Sequence, residues 1–217
     1  MTSPHPKIHA LLVNCANATL NALRRRHQKG KMFTCEDSIR SYFCHELTRR
    51  KISLDDITPE YPCAKQHPKR GIDMHIELPN TDVWLEFKFH RQTQHCSASE
   101  TKDLGKILAD FFRLASLRKP GIKYSFYVID AVMLRYLRVL GYCELISNAP
   151  FTVHRKTGNF YIGTKKLPKS AKEQIIKKTW SLPLNAKVAV TPIFLPAAKP
   201  SEKNEDFPYH VLFYRVA

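Results

Sequence analysis

The chain has 217 residues, 43% of them hydrophobic and 25% charged, which is enough to bury one sizeable core. Its 35 Lys and Arg against 19 Asp and Glu give a formal net charge of +16, favouring a polyanionic partner, most simply nucleic acid, over an acidic protein or a membrane surface. No apolar run is long enough to span a bilayer and no signal-peptide core opens the chain, so the expectation is a soluble, intracellular protein.

Residues 6–28 carry Ile8, Leu11, Leu12, Cys15, Ala18 and Ala22 at helical spacing and end in the basic run RRRHQKGK. A second helix begins near Thr34, with Thr34 and Asp37 as a capping box and Ile39, Phe43 and Leu47 as its buried stripe. Residues 52–70 read as a loop with one short strand around Tyr61. A hairpin then occupies 71–90, a third helix roughly 100–118, and a buried strand 123–129. Asp130 caps a short helix that stops at Gly141. From 151 the pattern predicts a hairpin turning at Thr157-Gly158, a helix opened by Ser170 and Glu173, and strands near 187–195 and 209–216. The proline-rich loop PAAKPSEKNEDFP joins those last two strands. The expected class is α/β, as one domain: an N-terminal helical extension (1–33), a core (34–141) and a basic, β-rich C-terminal elaboration (142–217).

The hairpin GIDMHIELPNTDVWLEFKFH holds the chemistry. Successive side chains of a strand point to opposite faces. One face therefore takes Ile72, Met74, Ile76 and Leu78 with Val83, Leu85, Phe87 and Phe89, and the other takes Asp73, His75 and Glu77 with Trp84, Glu86, Lys88 and His90. A two-residue turn at Asn80-Thr81 would set Lys88 opposite Asp73 and put Glu86 diagonal to it, within roughly 7–8 Å. Two carboxylates so placed repel unless a cation lies between them, which suits a hard divalent ion with oxygen ligands. Glu77, nearer the turn, reads as solvated. The polar residues of the third helix, Asp103, Lys106, Asp110 and Arg113, read as ion pairs in solvent, with a supporting role for Asp110 left open.

An acidic residue on one strand followed by an apolar-flanked E-x-K on the next resembles the PD-(D/E)xK nuclease superfamily, whose founding members are restriction endonucleases. The match sets the motif acid at Asp73 and the E-x-K at Glu86-Phe87-Lys88, with Ile72 where the name-giving proline would stand. The resemblance implies a restriction-endonuclease-like core: helix, three strands, helix, strand, in a mixed sheet flanked by helices. It also implies Mg²⁺, with Mn²⁺ as a substitute, held by Asp73, Glu86 and the Phe87 carbonyl. Glu36, on the first core helix, matches a further acidic position of the family. The implied activity is hydrolysis of DNA, double-stranded before single-stranded, of restriction or anti-invader type, by a homodimer.

The basic residues divide into two groups. Lys65, Lys69 and Arg70, with His90 and Arg91, flank the motif and are expected to touch backbone phosphates. Residues 151–190 hold nine Lys or Arg against the single acid Glu173, and Lys165, Lys166, Lys177 and Lys178 represent a DNA-holding surface. Cys15, Cys35, Cys44, Cys63, Cys96 and Cys143 form no C-x-x-C pair and predict free thiols in a reducing cytoplasm. His90, His95 and Cys96 fit no standard zinc spacing. Two alternatives stay open: a nucleic-acid-binding protein of this fold that does not cut, and an RNA-directed enzyme in which Phe160, Tyr161 or Trp180 stacks on bases.

Overall fold

The computed structural model describes residues 6–30, 36–62, 71–90, 100–179, 182–195 and 209–217. Five α-helices flank a nine-stranded mixed sheet. The helices are α1 (Pro6–Gln28), α2 (Glu36–Arg49), α3 (Glu100–Ser116), α4 (Ala131–Val139) and α5 (Lys169–Lys178). The strands are β1 (Ile57–Pro62), β2 (Gly71–Leu78), β3 (Thr81–Phe89), β4 (Ile122–Asp130), β5 (Phe151–Lys156), β6 (Asn159–Ile162), β7 (Lys165–Lys166), β8 (Lys187–Pro192) and β9 (Tyr209–Val216). Spatial order is β1-β2-β3-β4-β9-β8-β5-β6-β7, with β3 and β4 parallel and the other pairs antiparallel. No helix among the described residues is long and apolar enough to cross a membrane.

The sheet separates two apolar layers. On one side Leu12, Cys15 and Leu23 of α1 and Ile39, Phe43 and Leu47 of α2 pack on Met74, Ile76, Val83, Leu85, Phe87 and Phe126. On the other, α3, α4 and α5 pack on Trp84, Tyr127, Ile129 and Tyr214. The expected alternation of the hairpin holds except at Ile72, which joins the α3 side, beyond the last β2–β3 pair at Met74↔Leu85. The buried face of α1 is rotated from the expected stripe. Leu12, Cys15, Ala16, Thr19, Leu20 and Leu23 are buried, while Ala18 and Ala22 are only half so. Its sequence LLVNCANATLNAL is small or apolar on much of the circumference, so periodicity leaves the facing side to the packing against α2 and the sheet.

The Thr157-Gly158 turn and the Asp130 cap form as expected, whereas α5 starts at Lys169 with Pro168 at its N-cap and is not opened by Ser170. Thr157 and Gly158 both have positive φ (47° and 75°), the requirement of a tight two-residue hairpin turn. Asp130 caps α4 by accepting from the Met133 N–H at 2.9 Å. The C-terminal part is no appendage, because β9 pairs with β4 along its whole length and so continues the central sheet. Cys15, Cys44 and Cys143 are free thiols. Thr34, residues 63–70, 91–99 and 196–208, and Trp180 lie outside the described residues, and with them Lys65, Lys69, Arg70, Arg91, His95 and Cys96.

Candidate active site

The hairpin turn is Pro79-Asn80, pairing Leu78 with Thr81, instead of the expected Asn80-Thr81. Proline has no N–H for a ladder and its φ is preset for the first turn position, which favours this register. The ladder runs to Met74↔Leu85, and continuing it sets Asp73 across from Glu86, not from Lys88. A shift of two residues conserves the faces of a regular ladder, but this ladder ends at Met74 and Ile72 already lies on the α3 side. Past Met74↔Leu85 the Phe87 N–H donates to Asp73 Oδ2 at 2.7 Å, so a carboxylate takes the place of a strand carbonyl. Asp73 is thereby held beside the E-x-K segment. Its other oxygen lies 3.8 Å from Arg40 Nη1 of α2.

Phe43 packs edge-on against Phe87 at 5.3 Å, which fixes α2 over β3. Glu36, the first residue of α2, then lies with its Oε2 3.3 Å from Lys88 Nζ. Asp110 Oδ2 of α3 is 3.8 Å from the same ammonium, and the Phe87 carbonyl accepts from it at 3.4 Å. Burial alone would lower the Lys88 pKa, but Asp110, Glu36, Asp73 and Glu86 hold it above the ordinary lysine value. Lys88 is therefore a fixed cation. Burial also raises Glu36, with Lys88 offsetting only part of the effect against Asp73 and Asp110.

Glu86 is fully buried between the sheet and α3. Arg113 Nη2 lies 2.8 Å from its Oε1, yet neither carboxylate oxygen has a directed hydrogen bond. Burial first, then Asp110 and Asp73, push its pKa well above the usual carboxylate range, against the pull of Arg113. A buried carboxylate without hydrogen-bond donors is costly unless something else satisfies it.

The i,i+3 ion pairs expected on α3 form, Asp103 with Lys106 and Asp110 with Arg113, but their carboxylates are buried and not in solvent. Asp110 is fully buried, 3.0 Å from Arg113 Nη1 and 3.3 Å from the Tyr127 hydroxyl. A signal existed: LGKILADFFRLA is apolar nearly all round, and such a helix is buried, so its few charges must be paired. Asp103 is likewise buried, bonded to Lys106 and 2.9 Å from His90 Nε2. His90 is 8% exposed, with Nδ1 3.2 Å from Asp130 Oδ1, and is not a rim residue facing phosphates as expected. Burial opposes its protonation, but Asp103 and Asp130 together raise it to about 9.

Of the expected holding surface, Lys166 and Lys177 are exposed. Lys165 instead donates to the Leu140 carbonyl and lies over the Tyr142 ring at 4.8 Å. Lys178 faces a cavity of about 380 Å³ whose wall also holds Glu36, Lys88, His90, Asp103 and Lys106. Sequence distance hid that convergence, as it hid Arg40. Phe160 is core, and Tyr161 stacks on His154 at 5.1 Å.

No family model matches the chain, nor does any curated protein or solved structure. Among the described residues no group of three or more His, Cys, Asp and Glu has a metal-holding arrangement. The Asp73 and Glu86 carboxylates and the Phe87 carbonyl are oxygen donors of the kind that a hard divalent ion takes. The two Glu86 oxygens without hydrogen bonds are what such an ion would satisfy. Glu36 stands against Lys88, so the structure assigns it to the ammonium and not to that donor set.

Proposed function

We propose that this protein is a metal-dependent endonuclease of the PD-(D/E)xK type that hydrolyses DNA phosphodiesters. The observation that carries the reading is the closeness of Asp73, Glu86 and Lys88 where β2 leaves β3, with no N–H donor directed at either Glu86 oxygen. The element order α2, β1, β2, β3, α3, β4 and the net charge of +16 support it. Asp73, Glu86 and the Phe87 carbonyl would hold Mg²⁺ or Mn²⁺, which when bound polarises the scissile phosphate and acidifies a water. The other side chains hold and orient. The Phe87 N–H fixes Asp73, and Glu36 and Asp110 hold Lys88 protonated. A permanently charged Lys88 is a poor proton acceptor. Its role is to orient the attacking water and offset charge growing on the phosphate oxygens. Water oxygen bonds to phosphorus as the bond to the 3′ oxygen breaks, leaving a 5′-phosphate and a 3′-hydroxyl.

The test is incubation with supercoiled plasmid, single-stranded DNA and RNA, with Mg²⁺ or EDTA, and mapping of the ends. Plasmid should be cut only with the divalent ion. Asp73→Ala, Glu86→Ala and Lys88→Ala should each slow cutting at least ~100-fold, the scale of losing one transition-state stabiliser. Variants that cut like the parent, or cutting in EDTA, would remove the assignment. The full burial of Glu86 beneath Arg113 favours a second reading, a nucleic-acid-binding protein that keeps this fold without cutting. Tight binding of plasmid with no cutting under any divalent ion would establish that reading instead.

A further inference from the structure

The cavity between β3, α3 and the last turn of α5 has one charge left over. Its wall carries two carboxylates, and each already has a cation: Glu36 with Lys88, and Asp103 with His90 and Lys106. Lys178 has no ion pair or hydrogen bond among the described residues, although it is only half exposed. Burial lowers its pKa, and Lys88, Arg113 and Lys106 add to this against the pull of Asp110. A half-buried ammonium in a cavity wall, with other cations nearby, suits an anionic ligand. The volume, about 380 Å³, lies in the roughly 300–1,000 Å³ range of sites that enclose a small ligand. Close packing holds the site in place. Gly105 of α3 lies so near α5 that a Cβ there would sit 2.5 Å from the Ala171 carbonyl oxygen.

We propose that this cavity is a phosphate subsite in which Lys178 binds a nucleic-acid phosphate next to the one that Lys88 attends. The ligand class rests on the nuclease reading, and the assignment to an anion rests on the position of Lys178 in the cavity wall. A terminal phosphate monoester and a backbone phosphodiester share the chemistry, and two binding arms separate them. In EDTA, where cutting plays no part, the parent, Lys178→Met and Lys178→Arg are titrated with a short duplex lacking terminal phosphates across a range of salt. The same three proteins are titrated with a nucleoside 5′-monophosphate.

Lys178→Met should bind roughly 10-fold more weakly in at least one arm, the scale of one charge-assisted hydrogen bond. In the duplex arm the log–log salt slope should flatten by about 0.9. Lys178→Arg should recover both. Loss confined to the monophosphate arm assigns a terminal phosphate, and loss in the duplex arm assigns the backbone. The Lys178→Met unfolding midpoint should equal or exceed the parent's, since no carboxylate is orphaned. Parent-like binding by Lys178→Met in both arms, no binding by the parent in either, or a lowered Lys178→Met midpoint overturns the subsite. Lys178-dependent binding without any cutting would sink the nuclease reading and leave the subsite standing. Cutting by a protein whose binding ignores Lys178 would do the reverse.

Discussion

His90 ties three elements together, because its ring at the end of β3 reaches Asp103 of α3 and the Asp130 cap of α4. Such a knot is pH-dependent, and its sign follows from the direction of the shift. The folded pKa, about 9, lies above the ordinary histidine value of 6.5, so the folded chain binds the proton more tightly than the unfolded one. The stabilisation is complete below about 6.5 and is lost as pH rises through about 9. The unfolding midpoint of the parent should therefore fall across that window by more than the midpoint of His90→Asn, which has no proton to lose. Thermal unfolding of both proteins at pH 6 and pH 9.5 reads the difference. Equal falls would mean that the imidazolium contributes nothing.

Turns and helix contacts decide what those residues can reach. Thr157-Gly158 was legible because only a tight turn asks for two consecutive residues at positive φ, and glycine marks it. Pro79-Asn80 was misread by one position because PNTD offers several turn residues in a row. Asp73 still meets the E-x-K segment because a slip of one turn position moves the pairing by only two residues. The α3–α5 contact has no local signature of that kind. At Gly105, alanine would add about 1 kcal/mol of helix propensity, whereas overpacking costs typically ~1–3 kcal/mol. A backbone oxygen 2.5 Å from the new Cβ puts Gly105 at the costly end. The net loss of about 2 kcal/mol means that Gly105→Ala should lower the unfolding midpoint by about 4–8 °C. It should also weaken whatever binding depends on Lys178, because α5 must move away. A midpoint above the parent's would show that α5 yields freely.

At the scale of the whole molecule the charge is divided between an exposed surface and a buried site. Lys166 and Lys177 are exposed, whereas Lys178, next in sequence, looks into the cavity with Lys88. Neutralising Lys166 and Lys177 together should weaken binding to every sequence alike and flatten the salt slope by up to about 1.8, at 0.9 for each lost contact. Cutting at saturating DNA and low salt should persist in that double variant, since Asp73, Glu86 and Lys88 are untouched. Adding Lys178→Met should then alter the cutting rate as well as the affinity. If the double variant keeps the parent's salt dependence, this face only solvates the protein.

The sequence by itself determined the α/β class, nearly every element and the approach of Asp73 to the E-x-K segment. Those depend on periods of 2 and 3.6 residues, on caps and on turn residues, all of which act within a few positions along the chain. Tertiary structure alone decided which side of α1 is buried and that Asp110 and Arg113 close over Glu86. It also turned His90 inward and brought Lys178 to Lys88 across 90 positions of sequence. A charged residue's surroundings are set by which helix the sheet places above it, and a local pattern carries no record of that neighbour.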